Sequence, residues 1–83
     1  MDDQTNTATI AVRIDASGLT CPMPVVRAKK GIAGIEVGQL MEIIATDAGA
    51  MADFAAWTRA TGNELLSGEQ HGEFFRFIIR RLK

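Results

Sequence analysis

A second cysteine is what the chain most conspicuously lacks. Cys21 is the only one in 83 residues, so no internal disulfide can form and the fold must rest on its core. The same absence removes the resolving thiol that a thioredoxin-like redox cycle requires. Histidine is equally scarce, with His71 alone. One Cys and one His fall short of the about four ligands of a zinc site, so no metal is expected. His71 also lies far along the chain from Cys21, and a thiol protease or acyl-transfer enzyme needs a base and an orienting group beside its nucleophile. No apolar run approaches the roughly 20 residues that span a bilayer, so no membrane insertion is expected. The segment Met1–Thr7 is acidic and polar, without the basic and apolar regions of a signal peptide. A cytoplasmic protein is the expectation, and a lone thiol fits that reducing compartment. Positive charge is not in excess either: the net charge is −1 and the pI is near 5.7. That argues against nucleic acid as the direct partner.

What is present reads as one small globular domain over 9–83, behind a disordered leader over 1–8. Hydrophobic residues make up 47% and charged residues 23%, a balance that supports a packed core. Ile10, Val12 and Ile14 alternate with Ala11, Arg13 and Asp15 and predict a half-buried strand. Ala16-Ser17-Gly18 breaks it, and Gly18 suits a positive φ. A helix is expected from about Pro22 to Ala33, with Val25, Ala28 and Ile32 on its apolar stripe. Leu40–Thr46 reads as an interior strand. Asp47 is placed to cap a second helix over about 48–61, whose stripe holds Met51, Phe54, Ala55 and Thr58 and which Gly62 ends. Asn63–Gln70 and Glu73–Leu82 read as two further strands joined by a His71-Gly72 turn. The β-α-β-α-β-β order predicts an α+β fold, a two-layer α/β sandwich with two helices on one face of a four-stranded mixed sheet.

Both prolines of the chain, Pro22 and Pro24, flank Met23 directly after Cys21. A proline is harmless only in the first helical turn, where its missing N–H has no intrahelical partner. Two of them place Cys21 at or very near the N-cap, and Pro22 pushes the Cys21 backbone toward the extended region. A thiol on a helix tip feels the positive end of the macrodipole, which favours the reactive thiolate. Met23 N–H is the expected first-turn donor to sulfur, since Pro22 and Pro24 have none. With no base, no second cysteine and too few metal ligands, the chemistry left to Cys21 is a handover of a group between partner proteins.

The run Asp15-Ala16-Ser17-Gly18-Leu19-Thr20-Cys21-Pro22-Met23-Pro24 resembles the D-A-x-G-x-x-C-P-x-P signature of the TusA (SirA-like) sulfur-carrier family. The likeness extends over nearly the whole chain after the leader, through Thr46-Asp47, Gly62–Leu66 and Phe75–Arg80. It implies that Cys21 carries sulfane sulfur as a persulfide, with no separate cofactor. The donor would be a cysteine desulfurase or a rhodanese-type protein, and a downstream protein would accept the sulfur. Family pathways include 2-thiolation of the tRNA wobble uridine, sulfur oxidation, selenium metabolism and thiosulfate uptake. By the same resemblance Pro22 and Pro24 shape the helix tip, Asp15 and Gly18 shape the approach to it, and Met23, Lys29 and Lys30 belong to the partner-docking surface. Such a role suits a monomer that docks transiently.

Blander roles stand beside these. Asp15 can simply satisfy backbone N–H groups in a turn, and a carboxylate close to the thiol would disfavour the thiolate. Lys29 and Lys30 can be a solvated helix face, and His71 an exposed turn residue. Two other functions remain open: a non-catalytic interaction or regulatory module, and a small RNA-binding domain using Arg76, Arg80 and Arg81.

Overall fold

The computed structural model describes residues 10–83; the leader expected over 1–8 lies outside them. The elements follow the expected order: β1 (Ile10–Ala16), α1 (Met23–Ala33), β2 (Leu40–Ala45), α2 (Ala50–Thr61), β3 (Glu64–His71) and β4 (Phe74–Arg80). They form one mixed sheet in the order β1-β2-β4-β3. β1 and β2 are parallel, whereas β4 pairs antiparallel with both β2 and β3. A parallel pair needs a crossover, and α1 supplies it. Two register shifts occur, and both place the extra residue on an outer strand: Ala11 in β1 and Leu66 in β3.

The core lies between the sheet and the two helices. Met41, Ile43 and Ala45 of β2 and Phe77 and Ile79 of β4 are fully buried on the inner face. Ala28 and Ile32 of α1 and Ala50, Phe54 and Thr58 of α2 pack over them. Phe54 meets Phe77 with ring centroids 4.6 Å apart and Trp57 edge-on at 6.1 Å. The close approach of α1 depends on Gly31, where a Cβ would run into Ile14 Cδ1 and come within 3.0 Å of Met41 Sδ. The opposite face of the sheet is uncovered by helices. There Glu42 accepts from Arg13 at 2.9 Å and from Arg76, while Arg80 faces Glu64 at 3.3 Å.

Two boundaries and one helix stripe differ from the expectation. The second helix begins at Ala50 with Gly49 as its N-cap and no side-chain cap. Asp47 instead closes the preceding turn, its Oδ2 accepting Gly49 N–H at 2.9 Å and its carbonyl accepting Ala50 N–H at 3.0 Å. The hairpin turn is Gly72-Glu73, because His71 pairs with Phe74. Gly72 has φ +64°, and positive φ at the first central position is what a type II′ turn requires. A His71-Gly72 turn would have put His71 there. Along α1, Pro24 is buried beside Ala28 and Ile32, while Val25 is only partly buried.

Candidate functional site

The parallel pairing of β1 and β2, with Ala16 opposite Ala45, sets the site. Both strands deliver the chain to the same edge of the sheet, and each is followed there by a helix. The starts of α1 and α2 are therefore neighbours. Gly18, at φ +79°, turns its N–H to Thr46 Oγ1 at 2.9 Å and so ties the loop after β1 to the loop after β2. Asp15 Oδ1 accepts Ser17 N–H at 3.0 Å. Those bonds from Ser17 hold the Asp15 carboxyl below its ordinary range. Asp15 and Gly18 thus shape the backbone approaching the cysteine.

Cys21 follows, exposed and unpaired. The Cys21–Pro22 peptide is cis. Pro22 is the N-cap of α1, with φ −100° and ψ 14°, and Pro24 lies inside the first turn. Cys21 therefore stands one residue outside the N-cap. Met23, 42% exposed, presents its side chain beside the cysteine in sequence, but its N–H donates to Thr20 O at 2.8 Å. The expected donor to sulfur is thus already engaged. Pro24 has no N–H, and Val26 N–H returns to Pro22 O at 3.1 Å. The helix tip offers the thiol far less than a proline-free tip would.

Electrostatics at Cys21 runs opposite to the helix-tip expectation. Asp53, in the first turn of α2, is the group that bears most on the thiol. Together with loss of solvent and the charge of Asp47, it pushes the Cys21 thiol above its ordinary range. The groups that act on the sulfur are these two acids. Lys29 and Lys30 are exposed on α1, about 9 Å or more along the axis from Met23, with Lys30 in the last turn. The structure sets Pro22, Met23 and Pro24 directly after Cys21 at the start of α1 and Gly18 in the loop before it, keeps Asp15 on Ser17 at the end of β1, and leaves the two lysines farther along α1. Asp53 escaped the sequence reading because no local spacing relates it to Cys21. The available signal was topological: a parallel β-α-β unit places the first turn of its following helix beside the crossover helix's start.

Among the described residues no cluster of His, Cys, Asp and Glu could hold a metal ion, and no helix is long and apolar enough to cross a membrane. The three arginines considered for RNA are occupied. Arg76 pairs with Glu42 and Arg80 with Glu64; Arg81 donates to Ile35 O and, at 2.8 Å, to Lys83 O. His71 is exposed in β3, 3.0 Å from Glu69 and stacked on Phe74 at 5.4 Å.

Comparison with known proteins adds to this geometry. The family model described as Sulfurtransferase TusA matches residues 12–81. The sulfur carrier protein TusA of Allochromatium vinosum is 46% identical over 68 residues, covering 82% of this chain and 90% of that protein. A putative sulfur carrier protein of Bacillus subtilis, YrkI, is 44% identical over 68 residues, covering 82% of this chain and 91% of its own. Among solved structures, a SirA-like protein from Desulfitobacterium hafniense superposes with a TM-score of 0.69 at 27% identity, over 87% of this chain and 99% of that one.

Proposed function

Since the chain belongs to the sulfurtransferase TusA family, we propose that it carries sulfane sulfur as a persulfide on Cys21 between a donor and an acceptor protein. The observation that carries this reading is the placement of the sole cysteine, exposed at the start of α1. A thiol there can be reached by a second protein and needs no pocket of its own. In loading, Cys21 sulfur attacks the outer sulfur of a cysteine persulfide on the donor. The donor's S–S bond breaks, a new S–S bond forms on Cys21, and the Cys21 proton ends on the released donor thiol. Unloading is the same exchange run onto an acceptor thiol, so no external oxidant or reductant is consumed. The donor is a cysteine desulfurase or a rhodanese-type protein, and no further cofactor is involved. The role is catalytic in the sense of group transfer, in the cytoplasm, by a monomer.

The deciding measurement is intact mass after incubation with a cysteine desulfurase plus cysteine, or a rhodanese plus thiosulfate. The chain should gain one sulfur atom, lose it to dithiothreitol, and gain none as Cys21→Ser. Failure to gain sulfur from either donor would sink the reading. Whether the sulfur goes to tRNA thiolation, sulfur oxidation or another route is a question of the acceptor, tested by offering loaded protein to candidates of each class.

A further inference from the structure

The loop that presents Cys21 shapes itself, but one outside group locates it. Ser17 N–H returns to Asp15 Oδ1 at 3.0 Å, Leu19 N–H to Ala16 O at 3.2 Å and Met23 N–H to Thr20 O at 2.8 Å. Each of these bonds closes locally, so it sets the shape of the loop and not its place on the sheet. Gly18 N–H is different. It donates to Thr46 Oγ1 at 2.9 Å, across 28 residues. Among the described residues it is the one hydrogen bond that joins the backbone of 17–21 to a distant part of the chain. Thr46 directly follows β2, whose last residue, Ala45, is fully buried and paired with both Ala16 and Phe75. A β-branched side chain is stiff at χ1, so the accepting oxygen is held firmly on the end of an interior strand. Leu19, partly buried against the core, is the loop's second anchor.

We propose that Thr46 is a positioning residue for Cys21, its hydroxyl seating the loop so that the sulfur meets the sulfur of a docked protein in line. The seat itself rests on the geometry; its use in sulfur exchange rests on the carrier reading. In loading, the Cys21 sulfur must approach along the S–S bond that it breaks. In unloading, the acceptor sulfur must approach along the S–S bond carried on Cys21. A free reagent turns to suit the thiol. A docked protein cannot, because its other contacts fix its own sulfur, and a misplacement of about 1 Å then costs much of the rate. The loop after β2 leads into α2 as the loop after β1 leads into α1, so a protein docked at this end of the sheet meets both. The Gly18–Thr46 bond holds the two loops at one spacing. Thr46 is exposed, so water replaces the bond when it is lost and overall stability changes little. What the bond adds is location.

The test compares the full chain as wild type, Thr46→Val and Thr46→Ser. Valine keeps the shape of the side chain and removes the acceptor; serine keeps the acceptor. Loading in a single turnover, from a persulfidated cysteine desulfurase or rhodanese at saturating concentration, should slow roughly fivefold in Thr46→Val, the scale of one net hydrogen bond. The donor concentration giving half the maximal rate should stay the same. Thr46→Ser should load close to the wild-type rate. Alkylation of Cys21 by iodoacetamide, a small reagent that orients itself, should proceed equally in all three. Equal loading of Thr46→Val and wild type, a fall in alkylation matching the fall in loading, or no rescue by serine would each overturn the proposal. Hydrogen exchange of the Gly18 amide, read by NMR, separates the seat from the carrier reading. That amide should be protected in wild type and in Thr46→Ser and lose its protection in Thr46→Val. An unprotected amide in wild type overturns the seat whatever the loading. A protected amide in a chain that takes sulfur from neither donor keeps the seat, and removes the carrier reading together with the seat's use in sulfur exchange.

Discussion

Side chains near the surface of this protein owe their chemistry to charge more than to burial. Glu42 shows the stabilising case. Its side chain is 12% exposed, and hydrogen bonds from Arg76, then Arg13, hold its carboxyl below the usual range against a desolvation that pushes it up. A depressed folded pKa means stability that is present above the unfolded value and lost as pH falls through the folded one. Glu42→Gln should therefore lower stability at neutral pH by about 1 kcal/mol, with the deficit closing in acid, as thermal melts from neutral pH down to about 3 will show. Cys21 shows the opposite sign, its thiol pushed up by Asp53 first and by loss of solvent and the charge of Asp47 as well. The exposed position of Cys21 was legible from the chain, because two prolines fix where a helix can begin. Its electrostatic setting was not. Helix-tip reasoning counts donors by position, whereas the Met23 donor is taken by Thr20 and the acids arrive from a different helix.

Among the elements, α1 matters most because it begins directly after the cysteine and Gly31 brings it close to Ile14 and Met41. Gly31→Ala would gain about 1 kcal/mol of helix propensity. The added methyl would meet Ile14 and Met41, and overpacking of this kind costs about 1–3 kcal/mol. A net loss of stability with α1 displaced outward is the expected result, read as a lower melting temperature. The elements themselves were readable because one face of each is buried: alternation in β1 and the Phe75, Phe77, Ile79 face of β4 follow directly from a sheet covered on one side. Their ends were less so. Whether Asp47 caps a helix or closes a turn depends on which N–H its carboxylate reaches, and Gly49 N–H lies nearer than the helix. Similarly, the hairpin moved one residue because Gly72 satisfies the backbone demand of its turn and His71 does not.

As a whole, the described residues share one core, with little to spare if a central ring is removed. Phe54 is fully buried between Trp57 and Phe77. Phe54→Ala should cost about 3–5 kcal/mol, a large part of the 5–15 kcal/mol that holds a typical domain. Chemical denaturation at neutral pH will measure it. Charge on the helix-free face of the sheet is internally paired, Arg76 with Glu42 and Arg80 with Glu64, which leaves a nucleic acid few free cations there. Binding to single-stranded RNA should be absent even at low salt, checked by fluorescence anisotropy.

The two extra residues, Ala11 in β1 and Leu66 in β3, lie on the only strands that have an open side within the described sheet. An irregular border cannot serve as a flat template for another chain's backbone, and bulges on outer strands are a recurrent way of blunting that hazard. Glu64, Glu69 and His71 line the β3 border with exposed polar groups. Self-association by sheet extension is thus discouraged on both flanks. A chain working as proposed, by handover at Cys21, can accumulate without sticking to copies of itself.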